Sequence, residues 1–201
     1  DYEKYILAYA AIAQKSKADL FCIGTEYRLA VRARPEFWSQ LIAKVRAVYS
    51  GPLTYAANWD NYEQVSFWSE LDYIGIDAYF PLSENARPDV KELAGSWKSI
   101  KKHLATYSEK YERPILFTEF GYRSTEYAAD GHWKHQLEEL EVDHQAQANG
   151  YEALLRSFWS EPWIAGGFLW KWHMSIPERA GFMDKAYSPQ EKPALDIIRK
   201  H

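Results

Sequence analysis

At 201 residues the chain is long enough for one domain with a substantial core. Its 47% hydrophobic and 26% charged residues exclude disorder, and a net charge of −4 argues against a nucleic-acid partner. A single cysteine, Cys22, excludes an intrachain disulfide framework or a cysteine-rich zinc site, and no apolar run approaches the ~18 residues of a membrane span.

The first residues, DYEKYILAYAAIAQ, carry acidic and aromatic side chains where a signal peptide would be basic and then apolar. They read as an amphipathic helix over 2–17, followed by a strand over 19–26 (DLFCIGTE). A helix over 35–49 has Pro35 in its favoured first turn. The second strand covers 52–59 (PLTYAANW), a short helix 62–70, and the third strand 71–80 (LDYIGIDAYF). A long helix over 89–112 leads to the fourth strand, 113–122 (RPILFTEFGY). A polar segment precedes a helix over 143–160, a fifth strand over 163–172 (WIAGGFLWKW) and a last helix over 189–200. Strands separated by crossover helices imply a parallel sheet with both faces covered.

An α/β chain of this kind is either an open doubly wound sheet or a (β/α)8 TIM barrel. Neither G-x-G-x-x-G nor a P-loop is present, so no nucleotide is implied, and no cofactor is expected. Each strand ends instead in polar or aromatic residues: Glu26, Asn58, Asp77 with Tyr79, Glu119 and Trp170. A barrel builds its site from such strand ends, so the barrel is favoured. The five units take about 40 residues each, and eight would need roughly 320, above the ~250 typical of the fold. Residues 1–201 therefore read as the C-terminal five βα units of one catalytic barrel domain, with about 120 residues expected ahead of Asp1. The open sheet edges of such a fragment would offer a surface for self-association.

In a strand, residues two apart share a face. With Glu26 pointing inward, Gly24 and Cys22 should follow; with Glu119 inward, Phe117 and Ile115 should follow. Asp77 and Tyr79 share parity with Gly75, Asn58 with Ala56, and Trp170 with Phe168 and Gly166. Two strand-end glutamates facing one cleft are what glycoside hydrolysis requires, one protonated to donate to the leaving oxygen and one ionised to attack the anomeric carbon. Like charges a few ångströms apart resist double ionisation, which divides those duties. The alternative for either glutamate is an ion pair, with Arg28 and Arg123 close in sequence.

The runs IGTE, SGPLTYAANWDNYEQVSFW, LDYIGIDAYFPL, PILFTEFGYRS and EPWIAGGFLWKWH together resemble glycoside hydrolase family 113, a group of β-1,4-mannanases in the large clan of retaining (β/α)8 glycosidases. The resemblance implies Glu26 as the acid/base at the end of strand four, Glu119 as the nucleophile at the end of strand seven, and strands four to eight for the chain as a whole. Most of the clan carries Asn before the acid/base; here Thr25 stands there, which leaves the contact to the sugar 2-hydroxyl to another group such as Asn58. Tyr79 would hydrogen-bond the nucleophile or else pack at the barrel mouth, and Asp77 would bind a sugar hydroxyl or pair with a lysine. Trp170 resembles the stacking platform beneath the sugar at the cleavage site, its indole face matching the axial C–H bonds of a pyranose. Trp59 and Trp172 are candidates for neighbouring subsites, with parity favouring Trp172.

His132, His135 and His144 lack any accompanying Cys cluster or HExxH pattern, so they read as a solvated loop and no metal is expected; His173 is a candidate for the cleft. The expected partner is a β-linked oligo- or polysaccharide, cleaved by double displacement with carboxyls ~5–5.5 Å apart. The rivals are activity on another β-glycan such as glucan or xylan, and a non-catalytic carbohydrate-binding fragment. The resemblance implies a secreted or cell-surface setting, which nothing in the given chain specifies.

Overall fold

The computed structural model describes residues 1–131, 133–175 and 183–201. Helix α1 (Tyr2–Ser16) ends at Lys17, whose left-handed conformation turns the chain into strand β1 (Phe21–Thr25). Helices α2 (Arg28–Ala33) and α3 (Pro35–Arg46) follow, then strands β2 (Leu53–Asn58) and β3 (Ile74–Asp77). Helix α4 (Val90–Tyr111) is capped by Asp89, which accepts from the Glu92 amide at 2.8 Å, and it leads into strand β4 (Ile115–Phe120). Helix α5 (His144–Phe158) is capped by Asp143 in the same way, and strand β5 (Ile164–Leu169) and helix α6 (Pro193–Lys200) complete the described elements.

The strands form one parallel sheet in the order β1-β2-β3-β4-β5. Right-handed crossovers between strands taken in sequence put every helix on the same face, whereas a doubly wound sheet must reverse direction. This is the arrangement of the expected barrel and not of the doubly wound alternative. One face meets the helix layer in a continuous core that includes Ile23, Tyr55, Ile76, Phe117, Trp38, Trp97 and Phe158. The other carries exposed Cys22 and Phe168 and opens toward the strand ends. Among the described residues no helix is long and apolar enough to cross a membrane.

The strands are shorter than expected, β3 most of all, and three other differences stand out. The helix expected over 62–70 is two single 3-10 turns, Tyr62–Gln64 and Trp68–Glu70, tied together by the Trp68 indole N–H donating to the Tyr62 carbonyl at 2.9 Å. The last helix begins at Pro193 because the residue before a proline is forced extended, as Lys192 is (φ −125, ψ 159). Residues 28–33, which carried no expected element, form α2.

The core is held largely by rings. Trp38 is 1% exposed and its ring lies 5.3 Å from Tyr55, 5.5 Å from Phe67 and 5.9 Å from Tyr2. Trp97 meets Phe158 edge-on at 5.0 Å, joining α4 to α5. Gly75 sits where a Cβ would fall 2.2 Å from the Tyr55 carbonyl, so only glycine lets β2 and β3 approach at this height. Trp38→Ala is expected to cost about 3–5 kcal/mol of stability in a urea titration. A loss below about 1 kcal/mol would mean that the helix layer collapses into the vacated space.

Candidate active site

Glu26 reaches the cleft by a route that simple alternation does not describe. The β1–β2 ladder slips between Cys22 and Thr25, so three residues of β1 span two of β2. Gly24 consequently faces the helices: a Cβ there would meet the Tyr2 hydroxyl at 2.8 Å and the Trp38 ring at 3.0 Å. It does not share a face with Cys22, contrary to expectation. Glu26 then adopts φ 55, the left-handed region that non-glycine residues rarely enter. Its amide donates to the Ala56 carbonyl at 2.9 Å, its carbonyl accepts from the Arg28 amide at 2.8 Å, and the next amide, Tyr27, donates to the Tyr55 hydroxyl at 2.7 Å. That turn, and not strand parity, aims the carboxyl.

A second slip serves Glu119. Phe117 pairs with Ile76, but Glu119 pairs with Asp77, leaving Thr118 as an extra residue. Ile115 and Phe117 lie in the core against the helices, which corrects the expectation that they share the face of Glu119. Thr118 instead turns inward, its hydroxyl donating to Asp77 Oδ1 at 2.7 Å. The Tyr79 hydroxyl donates to Glu119 Oε2 at 2.7 Å, and burial followed by that bond lifts the phenol well above its usual range. Tyr79 is therefore a fixed donor.

These residues surround a cavity of about 660 Å³. Glu26, Asn58, Trp59, Tyr79, Glu119 and Trp170 all line it, drawn from the ends of all five strands and the turns after them. Burial, then the charge of Glu119, raises the Glu26 carboxyl above the ordinary glutamate range; Arg28 pulls it back and Asp60 adds to the rise. Arg28 is paired with Asp60 at 2.6 Å.

Asp77 is 0% exposed and lies under the cavity without lining it, so neither a direct sugar contact nor a lysine pair describes its surroundings. Trp59 lines the cavity and Trp172 does not, the reverse of the parity argument, because both lie beyond their strands, where alternation no longer applies. Trp172 is 56% exposed. Trp170 is anchored by its amide donating to the Phe120 carbonyl at 2.8 Å, and the Trp170–Lys171 peptide is cis. A Cβ on Gly121 would fall 2.0 Å from the Trp170 carbonyl, so this approach needs glycine. His173 is tied through its backbone to Gln190 and does not line the cavity.

Two lining aromatics carry no strand-end signal. Trp133 stacks on Trp59 at 5.5 Å and 15°, from a loop whose other residues are mostly polar. Its signal was a lone indole in the loop after β4, on the side where barrels build sites. Tyr187 is the other; the Arg123 guanidinium lies 5.5 Å over its ring. The Tyr187 segment is held by the fully buried Lys192 ammonium, which pairs with Asp184 at 2.9 Å and donates to the Ser124 hydroxyl at 2.8 Å. Gln147 Nε2 donates to the Tyr187 carbonyl at 3.0 Å.

The loop after β4 is more ordered than a solvated segment: Asp130 accepts from Lys134 at 2.8 Å and meets His135 at 2.9 Å, whose ring stacks on Tyr127. His132 lies outside the described residues. Among the described residues no three or more His, Cys, Asp or Glu gather as a metal site.

Solved structures with a similar fold include a GH113 β-1,4-mannanase, 25% identical, with a TM-score of 0.82 over 99% of this chain and 60% of that one. A GH113 β-mannanase from Alicyclobacillus acidocaldarius is 29% identical, with a TM-score of 0.81 over 99% of this chain and 59% of that one. A β-glucuronidase from Faecalibacterium prausnitzii, 15% identical with a TM-score of 0.69 over 98% of this chain and 34% of that one, shares the fold alone. No curated protein matches the sequence. The chain thus spans about 60% of the length of the mannanases it matches, and its five-stranded parallel sheet with flanking helices is part of a (β/α)8 barrel fold. The family model for glycoside hydrolase family 113 matches residues 1–192, and the chain belongs to that family.

Proposed function

We propose that the protein is a retaining glycoside hydrolase acting on β-1,4-mannosidic bonds, with residues 1–201 holding strands four to eight of its barrel. The observation that carries the reading is the meeting of Glu26 and Glu119 in one cavity, with Tyr79 bonded to Glu119 Oε2. With Oε2 held by the phenol, the other carboxylate oxygen of Glu119 attacks the anomeric carbon. The glycosidic C–O bond breaks as Glu26 gives its proton to the departing oxygen. Glu26, now ionised, takes a proton from water, whose oxygen attacks the same carbon and releases Glu119 from the ester. Burial and the neighbouring Glu119 charge keep Glu26 protonated above the usual glutamate range, as a general acid needs.

The stacking surfaces are Trp170, beneath the cleaved sugar, and the paired Trp59 and Trp133, against a neighbouring one. Both mannanases with similar structures support mannan as the substrate; reducing-sugar release from mannan should exceed that from glucan or xylan.

Glu119→Gln should lower kcat by three or more orders of magnitude, on the scale of a lost covalent nucleophile, with an unchanged melting temperature. Proton NMR of the first-formed product should show the anomeric configuration of the substrate; the inverted anomer would refute double displacement. Arg28→Ala removes a charge that favours ionised Glu26, so the alkaline limb of kcat/KM should move to higher pH. A shift to lower pH would deny Glu26 the acid role.

A further inference from the structure

Beneath the cleft, Asn58, Asp77 and Glu119 sit opposite one another on β2, β3 and β4. Asp77 Oδ1 accepts from Thr118, but Oδ2 is buried and has no hydrogen-bond partner among the described residues. The adjacent Asn58 has the same defect: its Oδ1 is buried without a donor among the described residues. Two neighbouring acceptors, each lacking a donor, form an arrangement that buried polar groups rarely keep. One missing hydrogen between them would complete both.

Among the described residues, the groups that shift Asp77 include no positive charge. The titratable and polar groups that act on it are Cys22 from β1, Glu26 after β1, Asn58 from β2, Tyr79 after β3, and Thr118 and Glu119 from β4, with Tyr55 of β2 acting from the helix side of the sheet. Burial first, then the charges of Glu119 and Glu26, push the Asp77 carboxyl up to about 7, against the hydroxyl of Thr118, which lowers it.

We propose that Asp77 is a positioning residue that keeps its proton in the working site and donates it from Oδ2 to Asn58 Oδ1. The bond fixes the Asn58 amide with its oxygen downward, so that its NH2 group is presented to the cavity it lines, as a donor to a hydroxyl oxygen of the bound glycan. It also spares the ionised Glu119 a second negative charge beside it. The role of Asn58 rests on the glycosidase reading above; the location of the proton does not. The opposite arrangement, an ionised Asp77 accepting from a turned Asn58 amide, would place a second carboxylate beside Glu119 and aim the amide oxygen at the substrate.

The Asp77 carboxyl carbon, assigned by its absence in Asp77→Asn, can be followed by 13C NMR in the intact protein. It should remain protonated through pH 5; a midpoint near the ordinary ~4 overturns the proposal. Stability gives an independent sign. A carboxyl whose folded pKa is raised binds more protons folded than unfolded, so its contribution falls as pH rises from about 4 to about 8. Asp77→Asn keeps both hydrogen bonds and cannot ionise, so its melting temperature should gain on wild type across that window. If wild type gains instead, Asp77 is ionised and the proposal fails. For positioning, Asp77→Ala should raise KM for mannan by about tenfold or more with a smaller change in kcat, and Asp77→Asn should restore KM. Equal KM values for the Ala and Asn variants would overturn that role. If the protein hydrolyses no β-glycan while Asp77 titrates near neutrality, the glycosidase reading fails and the proton assignment stands; ordinary titration in an active enzyme fails only this inference.

Discussion

A carboxylate at a strand end reaches a cleft only if the backbone turns it there, and in this protein both turns come from slips in the ladder. The slip in β1 swings Gly24 toward the helices and is followed by the left-handed Glu26; the slip in β4 inserts Thr118 and brings Glu119 opposite Asp77. Both depend on the same support: a helix layer that buries the far face of each strand so firmly that its register cannot drift. Ile23, Ile76 and Phe117 are fully buried on that face. The site is thus fixed from behind, by apolar packing, before any polar contact forms in front.

In front, the electrostatics are one-sided. Three carboxyls, Glu26, Asp77 and Glu119, share a small volume roofed by aromatic rings, and the cations that line the cavity stand at its rim with other commitments: Arg28 with Asp60, Arg123 over Tyr187. Removing water strengthens every interaction among these charges. Neutral donors, the Tyr79 and Thr118 hydroxyls, therefore carry the work of fixing the acids, and they do so without adding charge.

Much of this was legible in the chain. Alternating apolar runs and amphipathic segments placed every strand, and the polar or aromatic strand ends located five cavity residues, Glu26, Asn58, Tyr79, Glu119 and Trp170, with Trp59 added by the family resemblance. What alternation could not supply was the manner of their arrival. A ladder slip leaves no mark in a period-two pattern, so Ile115, Phe117 and Gly24 were assigned to the wrong face although the glutamates beside them reach one cavity. Asp77 shows a related limit: its facing direction follows from parity, but its depth depends on how far the neighbouring side chains extend. Trp133 and Tyr187 were invisible for another reason, since both enter from segments between elements, where no periodicity exists to place a side chain.

The stacked pair of Trp59 and Trp133 joins two parts of the chain with different freedoms. Trp59 is bound to the sheet, its amide donating to the Asp77 carbonyl, while Trp133 hangs on a connection that tolerates length changes. On the proposed reading, insertions or exchanges in that connection can reshape one side of the groove, and with it the preferred chain length or decoration of a glycan, while Glu26 and Glu119 keep their places. Chemistry and selectivity are in this way mechanically uncoupled, which gives the scaffold room to diversify.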